Sequence, residues 1–389
     1  MTVSFLVPDI SGPVLGPVTV LARTLQRHLP VQIVGPDFGH GVCPMYRGAF
    51  DYTVVPAPRL YRLPDFLWES RRLGAALTGD VIVAVKAFAD TVPVALREKR
   101  RRGAKVVVYL DEWDGALFYQ LPKAARWKSV LRNLRFPLEE PWHPWIERMI
   151  RRADLVISTS TWLQRKFGGR IVHMGVDTDF FRPSPPEQAA ALKKECGLEG
   201  LRCIVFGGVV RPHKGIEVIL DALVRLGRPD ARFVIVGPVN EHVRQLQSDP
   251  AYRTYLTALG PQPAARMPEF LSLADLIVLP LKDNLLARTQ MPCKSFEALA
   301  MGRPVIGSAV SDLPLVLEGC GRVVPPDDPA ALAAAIADVL DHPAEARRMG
   351  EAAREKCIRL YSRAVTEQAL VAAIRDLGAG RLSDPAKGV

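Results

Sequence analysis

The sequence predicts an α/β protein built from two doubly wound parallel sheets. Short apolar segments rich in Val, Ile and Leu alternate with amphipathic helical segments along the 389-residue chain. Such segments are typical of strands buried on both faces of a parallel sheet. The series restarts after a Pro-rich stretch, RPSPP at Arg182 to Pro186. We therefore expect two sheets of similar design with a linker at this stretch.

Each sheet is predicted from five apolar segments. Those of the first sheet are Val3 to Val7, Val31 to Val34, Val81 to Val85, Val106 to Leu110 and Leu155 to Ser158. Those of the second sheet are Cys203 to Phe206, Phe233 to Val236, Leu276 to Leu279, Val305 to Gly307 and Arg322 to Val324. Ligands of open α/β sheets bind beyond the carboxyl ends of the strands, so functional residues are sought there.

The C-terminal segments read as helices. Asp328 and Pro329 suit the cap and first position of a helix over Ala330 to Leu340. A last amphipathic helix is predicted over Arg363 to Leu377, and the tail from Gly378 is expected to be disordered.

The composition predicts a cytoplasmic location. No apolar run approaches the roughly 18 residues that span a bilayer, and no basic region precedes the apolar segment at the N-terminus. Six cysteines without C-x-x-C spacing indicate neither a zinc site nor a disulfide framework, and most are expected to be buried thiols.

A glycine-bearing turn after a strand is the first candidate for ligand binding. Phe206 to Gly215 reads FGGVVRPHKG and leads into an amphipathic helix. Gly208 would let the backbone approach a ligand closely, and Arg211 and Lys214 would neutralise a diphosphate. A basic turn on a solvated surface is the alternative.

A second candidate follows the strand that ends at Leu279. Pro292 suits the approach to a helix start, so backbone N–H groups near Cys293 would favour an anion. Glu297 is expected within the first turn or so of that helix, where its carboxylate can accept two hydroxyl hydrogen bonds from a ribose. Lys294 lies on the same face and can face phosphate. The alternative is a Glu that only complements the helix dipole.

Together these segments resemble the donor-binding domain of the retaining GT-B fold glycosyltransferases of family 4. A third segment agrees: Ala153 to Pro183 ends in GVDTDFFRP, which is similar to the family's G-V-D-x-D-x-F-x-P run. The resemblance implies an acceptor-binding domain over 1–183 and a nucleotide-sugar donor domain over 184–364. It also implies that residues 365–389 form a helix crossing back to the first domain, followed by a flexible tail.

The chain departs from the family pattern at two donor positions. The family has Glu-x7-Glu; Glu297 fits the second Glu, but Thr289 occupies the position of the first. Without that first Glu, the identity of the transferred sugar is open, and Arg288, Asp283 or Asn284 are candidates to hold the sugar. Where the family often has Arg after the glycines, this chain has Val209, with Arg211 as the possible substitute.

The first domain offers candidates for both substrates. The resemblance implies that Gly12 and Gly16, after the first strand, lie against the donor diphosphate, although a plain turn is the alternative. Asp111 and Asp114 follow the strand Val106 to Leu110, and either could orient the acceptor hydroxyl or cap a helix. Many relatives place a His near this point, and this chain has none; His143 is an outside candidate with a packing role as its alternative.

Basic residues of the first domain interleave with aromatic and aliphatic ones. The net charge is +10, and Lys123, Arg126, Lys128, Arg132 and Arg135 alternate with Trp127, Leu131, Leu134 and Phe136. This mixture suits the surface of an anionic membrane, and a solvated helix face is the alternative. No nucleic-acid motif accompanies the charge.

The resemblance implies a hexosyltransferase of cell-envelope polysaccharide biosynthesis, with a UDP- or GDP-sugar as co-substrate and a glycan or lipid-linked acceptor. Arg211 and Lys214 would stabilise the leaving diphosphate, and Asp111 and Asp114 are the acceptor-side candidates. No cofactor or metal is expected, and location is expected to be cytoplasmic, including the inner face of the plasma membrane. A GT-B sugar-nucleotide epimerase or phosphorylase and a degenerate, non-enzymatic binding module are the alternatives.

Overall fold

The computed structural model describes residues 1–211 and 214–381. The chain divides into two compact units: residues 1–174 with the chain from Thr366 onwards, and Gly175–Val365. The division after Met174 falls upstream of the predicted linker at Arg182 to Pro186, and the division before Thr366 falls close to the predicted boundary after residue 364. Most of the predicted flexible tail, residues 382–389, lies outside the described residues.

Parallel strands form the sheet of the first unit. They are β1 (Val3–Leu6), β2 (Val31–Asp37), β3 (Tyr52–Pro56), β4 (Val81–Val85), β5 (Lys105–Leu110), β6 (Leu155–Ser158) and β7 (Arg170–Ile171). Within the described ranges the sheet has seven strands in the order β3-β2-β1-β4-β5-β6-β7. The interior strand β1 pairs on both sides, with Val3 beside Val31 and Val81. The carboxyl ends of β4 and β5 therefore lie side by side at one edge of the sheet.

Helices connect these strands. They are α1 (Leu15–Gln26), α2 (Asp65–Ala75), α3 (Val92–Arg102), α4 (Ala116–Gln120), α5 (Lys123–Asn133), α6 (His143–Ile150) and α7 (Thr161–Phe167). At the start of α7 the Ser160 side chain caps the helix by accepting a hydrogen bond from Leu163 N–H.

The second unit repeats the design. Its strands are β8 (Arg202–Gly207), β9 (Ala231–Val236), β10 (Leu256–Ala258), β11 (Leu276–Leu279), β12 (Val305–Ser308) and β13 (Arg322–Val324). Over the part of the chain that the structure describes, they form a six-stranded parallel sheet in the order β10-β9-β8-β11-β12-β13. Because β8 pairs with β11, the loops that follow these two strands leave the same edge.

Further helices surround this second sheet. They are α8 (Pro186–Glu195), α9 (Ile216–Leu226), α10 (Glu241–Ser248), α11 (Met267–Leu271), α12 (Leu285–Thr289), α13 (Cys293–Ala300), α14 (Leu313–Leu317), α15 (Pro329–Asp341) and α16 (Pro343–Tyr361). The predicted cap of α15 is confirmed, since Asp328 accepts hydrogen bonds from Ala330 and Ala331 N–H with Pro329 at the first position.

The last helix, α17 (Arg363–Gly378), packs with the first unit. Its buried face, which includes Leu370 and Ile374, belongs to the same core cluster as Phe5 of β1 and Tyr109 of β5. Ion pairs reinforce the contact, with Arg170 Nη1 lying 3.1 Å from an Asp376 carboxylate oxygen.

The two parallel sheets confirm the predicted α/β class. All ten predicted strands are present to within a few residues, and β3, β7 and β10 were not predicted. Among the described residues, no helix is both long and apolar enough to cross a membrane. Cys43, Cys203, Cys320 and Cys357 are buried thiols, as predicted for most of the six cysteines.

Candidate active site

The loop after β8 brings a glycine backbone against a lysine. Gly208 adopts a φ of +118°, a conformation that side chains rarely accept. Lys294, on α13, reaches back to β8 and donates a hydrogen bond from Nζ to the carbonyl oxygen of Gly207. The same ammonium lies 5.9 Å from the centre of the Phe206 ring. The glycine loop of the first motif therefore contacts the helix of the second motif in the fold.

A second glycine closes the loop onto the neighbouring strand. Gly215 has a φ of +62° at the N-cap of α9, and a Cβ built there would lie 2.1 Å from the Pro280 carbonyl oxygen. Only glycine fits both requirements. The end of the first motif is thereby held against the residue that follows β11. Positions 212 and 213 of the motif lie outside the described residues.

Two lysines line one cavity at this edge of the second sheet. Lys214 and Lys294 contribute to its wall together with Phe206, Pro292 and Ser295. Two ammonium groups beside the start of α13 make this cavity favourable for an anionic group. Arg211 is exposed, and its carbonyl oxygen accepts a 2.9 Å hydrogen bond from Lys214 N–H.

Glu297 lines an adjoining cavity, whose wall also includes Lys294, Phe206 and Gly207. It is the fifth residue of α13, so it lies just beyond the first turn of the helix. This position agrees with the prediction that Glu297 lies within the first turn or so. Burial raises the pKa of its carboxyl above the ordinary value, and the nearby Lys294 ammonium partly offsets this effect. A partly buried carboxylate one turn from a lysine can accept hydroxyl hydrogen bonds while the lysine faces phosphate.

The departure from the Glu-x7-Glu pattern is structural as well as chemical. Thr289, at the position of the family's first Glu, is fully buried, and its hydroxyl donates to the Leu286 carbonyl oxygen at 3.0 Å. Arg288 is exposed and pairs with both carboxylate oxygens of Asp283, one of them at 2.7 Å. Asn284 caps α12 through a 2.9 Å bond from Ala287 N–H. Asp283 and Arg288 are thus already paired with each other.

Three other predicted positions have clear surroundings. Cys293, the first residue of α13, is exposed. In the first unit, Gly12 precedes α1 beside Asp9, and Gly16 lies inside α1. A Cβ at Gly16 would lie 2.5 Å from the Tyr46 hydroxyl oxygen, which gives this glycine a packing reason to be small. Their predicted role at the donor diphosphate stays a prediction.

A lysine that the sequence analysis missed organises the acids after β5. Lys86 follows β4 with a φ of +65°, which is rare for a residue with a side chain. Its Nζ lies 3.3 Å from Asp111 Oδ1 and 3.1 Å from Asp114 Oδ1, and it also bonds Glu112. Thr91 supports the unusual backbone by donating from its hydroxyl to the Lys86 carbonyl oxygen at 2.9 Å.

The protonation of this cluster follows from burial and charge. Burial raises the pKa of Asp114 to about 6, although Lys86 lowers it. Burial alone would lower the pKa of Lys86, but the three surrounding carboxylates, with Asp114 first, raise it above the ordinary value. The lysine therefore stays charged, and Asp114 titrates close to neutrality. Asp111 and Glu112 are more exposed than Asp114, with 27% and 30% of their side chains accessible.

Two further polar groups lie in or beside the loop after β4. His143 is buried, and its Nδ1 is 3.2 Å from the Ala87 carbonyl oxygen. Burial lowers the pKa of His143 to about 4, so the ring is neutral and has the packing role that was the alternative. Asp90 is fully buried, its carboxyl has no hydrogen-bond partner on another described residue, and burial raises its pKa well above the ordinary value.

Asp177 and Asp179 spell a D-x-D pair that turns the chain after β7. Asp177 accepts hydrogen bonds from Asp179 and Phe180 N–H and forms an ion pair with Arg363. In residues 1–211 and 214–381, no group of His, Cys, Asp and Glu is arranged to hold a metal ion.

Some of the predicted residues thus form two groups, one in each unit. In the second unit, Gly208, Lys214, Lys294 and Glu297 meet at the carboxyl ends of β8 and β11. In the first unit, Asp111 and Asp114 meet Lys86 at the carboxyl ends of β4 and β5. A sequence signal for Lys86 did exist, since it is the first polar residue after the apolar strand β4.

Comparison with known proteins agrees with this geometry. Residues 201–342 match the family model described as Glycosyl transferases group 1. The chain is 28% identical over 321 residues to the GDP-mannose-dependent alpha-(1-6)-phosphatidylinositol monomannoside mannosyltransferase of Mycolicibacterium smegmatis, covering 78% of each chain. It is also 28% identical to the alpha-D-kanosaminyltransferase of Streptomyces kanamyceticus, over 72% of this chain and 80% of that one.

The fold has solved counterparts. The crystal structure of Anabaena HepE in complex with UDP superposes with a TM-score of 0.73 at 18% identity, covering 97% of this chain and 100% of that one. This likeness confirms the predicted GT-B fold. The sequence matches define one class of enzyme, a glycosyltransferase.

Proposed function

We propose that this protein is a retaining glycosyltransferase that moves a hexose from a UDP- or GDP-sugar to a glycan or lipid-linked acceptor at the cytoplasmic face of a membrane. The observation that carries the proposal is the cavity at the edge of the second sheet, where Lys214 and Lys294 line one wall beside the start of α13. Two cations and a helix N-terminus suit a diphosphate, and Glu297 in the adjoining cavity suits a ribose.

The chemistry requires stabilisation of a leaving group. The bond between the anomeric carbon and the diphosphate oxygen breaks with its electron pair staying on phosphate. The acceptor oxygen bonds to the anomeric carbon on the same face, and its hydroxyl proton passes to the leaving phosphate oxygen. The transition state is oxocarbenium-like, and negative charge grows on the leaving phosphate. Lys214 and Lys294 line the cavity assigned to the leaving phosphate. Arg211 is an exposed cation that precedes Lys214 on the loop after β8.

The acceptor is assigned to the Lys86 cluster of the first unit. Carboxylates beyond the ends of parallel strands are suited to accept hydrogen bonds from a sugar hydroxyl. Asp111 and Glu112 have partly accessible side chains, while Lys86 and the buried Asp114 hold the loop in place. The Mycolicibacterium relative is named for a phosphatidylinositol monomannoside acceptor, which supports a glycolipid and a role in cell-envelope glycan synthesis.

A thermal-shift screen against UDP-, GDP- and ADP-sugars tests the donor assignment. A donor at a hundred times its dissociation constant stabilises the folded protein by about 2.7 kcal/mol. The stabilising donor is then incubated with acceptor glycolipids, and the anomeric configuration of the product is read by NMR. Absence of stabilisation by every nucleotide sugar, or a product of inverted configuration, would contradict the proposal.

A further inference from the structure

Helix α5 exposes apolar side chains and buries polar ones. Trp127 and Leu131 have 71% and 72% of their surface accessible, and Leu134, just past the end of the helix, has 53%. The buried positions of α5 are Ser129 and Asn133. This is the reverse of the pattern by which a surface helix of a water-soluble protein attaches to its core.

The reversal follows from helix geometry and from hydrogen bonds. Trp127, Leu131 and Leu134 are spaced four and three residues apart, so they form one stripe along the helix. Ser129 and Asn133 form a different stripe, in which Asn133 Nδ2 donates to Ser129 Oγ at 3.3 Å. The polar side of α5 is thus satisfied within the protein, whereas Trp127, Leu131 and Leu134 remain mostly exposed to water.

Cations border the exposed stripe. Lys123, Lys128 and Arg132 are exposed on α5, and Arg135 is exposed just beyond it. The helix Lys123–Asn133 contains no Asp or Glu. Apolar side chains flanked by lysine and arginine match the two layers of an anionic lipid surface, acyl chains below and phosphate above.

The surface continues into the segment before α2. Tyr61, which is exposed, stacks on Phe136 with ring centres 6.4 Å apart. The backbone joins the two segments as well, since Leu63 N–H donates to the Arg135 carbonyl oxygen at 2.7 Å. The exposed stripe is therefore anchored to a second segment of the first unit.

We infer that α5 is an interfacial membrane helix, with Trp127, Leu131 and Leu134 inserted among the lipids of an anionic bilayer and the flanking cations at the phosphates. This rests on the proposed function in that it assigns the lipid side of a glycolipid acceptor to the first unit. The sequence predicted only a basic patch at an anionic membrane. The inference adds that membrane binding also requires insertion of apolar side chains. A second copy of this chain is the rival occupant of the stripe.

Vesicle co-sedimentation tests the inference on the full chain. The parent is expected to bind phosphatidylglycerol-containing phosphatidylcholine vesicles, and to bind pure phosphatidylcholine at least roughly tenfold more weakly, because each cation contributes about 1 kcal/mol at an anionic surface. Trp127→Ser with Leu131→Ser, and separately Lys128→Glu with Arg132→Glu, are each expected to weaken binding at least roughly tenfold. Equal binding by the parent and either double variant overturns the inference.

Matched controls lie in the second unit. Leu315 and Ile358 are exposed apolar residues, and Arg347 and Arg348 are exposed cations of α16. Leu315→Ser with Ile358→Ser, and Arg347→Glu with Arg348→Glu, are expected to bind vesicles like the parent. A loss in these controls equal to that of the α5 variants would show a nonspecific effect of hydrophobicity or charge and would overturn the inference.

Fluorescence locates the stripe in the bilayer. In the parent, tryptophan emission is expected to shift to the blue on vesicle binding and to be quenched by brominated lipids. Trp127→Phe keeps an apolar side chain, so vesicle binding is retained while both the blue shift and the quenching diminish. If the emission change is the same without Trp127, insertion of α5 is wrong. Analytical ultracentrifugation addresses the rival: a dimer that becomes a monomer in Trp127→Ser with Leu131→Ser assigns the stripe to a second copy and overturns the inference.

The nucleotide-sugar thermal shift, measured on the same variants, separates the two proposals. Vesicle binding without any nucleotide-sugar binding would remove the proposed function and leave the membrane helix in place. Nucleotide-sugar binding that is unaltered in every α5 variant, with vesicle binding equally unaltered, would remove the membrane helix alone.

Discussion

The ammonium of Lys294 occupies the space where a side chain at position 208 would begin. A Cβ built on Gly208 would lie 2.2 Å from Lys294 Nζ, and the φ of Gly208 is +118°. The glycine and the lysine come from motifs that lie far apart in the sequence, and each explains the presence of the other.

Gly208→Ala is expected to displace Lys294 and to weaken binding of the nucleotide diphosphate at least roughly tenfold, because the cation leaves the diphosphate and the backbone is strained. Calorimetric titration with UDP and GDP measures the loss. Gly260→Ala is the control, since Gly260 also has a positive φ, +74°, but nothing lies within 4 Å of its Cβ position. Equal nucleotide affinities of Gly208→Ala and Gly260→Ala would show that Lys294 does not bind the donor.

Glu297→Gln is expected to lower nucleotide affinity by roughly 1.5 to 3 kcal/mol, because the amide replaces a charged acceptor of ribose hydroxyl bonds. The raised pKa of Glu297 predicts the same direction in the parent at low pH: affinity falls as the pH drops through that pKa and the carboxylate is protonated. Glu351→Gln, an exposed change on α16, is the control. Unchanged binding of the free nucleoside diphosphate to Glu297→Gln would remove this residue from the site.

Lys214→Ala is expected to lower turnover more than donor affinity, by about 2.7 to 4 kcal/mol by analogy with lost oxyanion donors, since charge on the leaving phosphate is larger in the transition state. Arg211→Ala is expected to have a similar effect, not additive with that of Lys214→Ala, if Arg211 replaces the family's usual Arg. Steady-state kinetics at varied donor concentration distinguish the outcomes. Raised KM with parental kcat in both variants would make these cations ground-state anchors only.

Chelation by EDTA is expected to leave turnover unchanged, because lysine and arginine side chains neutralise the diphosphate in place of a metal. Turnover is measured before and after dialysis against EDTA. Loss of activity that manganese or magnesium restores would contradict this account of the charges.

Lys86→Met is expected to raise the pKa of Asp114 above its value of about 6, because removing a cation disfavours the carboxylate. Carboxyl 13C NMR titration measures it, and Lys86→Arg, which keeps the charge, is the control. Since the folded-state pKa of Asp114 exceeds the ordinary 3.8, stability from this group decreases as the pH rises from about 4 to 6. An unchanged Asp114 titration in Lys86→Met would show that Lys86 does not set it.

The sequence predicted the central strands well, because strands such as β8 and β11 are buried on both faces and carry uninterrupted apolar residues. The edge strands β3 and β10 escaped prediction since their residues are mostly half-exposed, and β7 has only two residues. The grouping of Lys86 with the acids after β5 could not be predicted for another reason. It joins residues that follow two different strands, and the side-by-side order of β4 and β5 had to be known first.

The burial of Thr289 was also unpredictable, because it depends on how α12 packs. In the sequence, Thr289 at the position of the family's first Glu indicates only a change of chemistry. In the fold it is a change of packing, since the threonine hydroxyl is satisfied by the helix backbone.

The return of α17 to the first unit fixes the order in which the protein can mature on the ribosome. Leu370, Ile374 and Leu377 complete a core that otherwise comes from the first 174 residues. The second unit, Gly175–Val365, can finish folding as soon as it emerges, whereas the first unit waits with an open hydrophobic face until the final helix is synthesised. The unit made first is therefore the unit completed last, and a premature stop codon shortly before Thr366 leaves the N-terminal half as the unfinished, aggregation-prone part of the product.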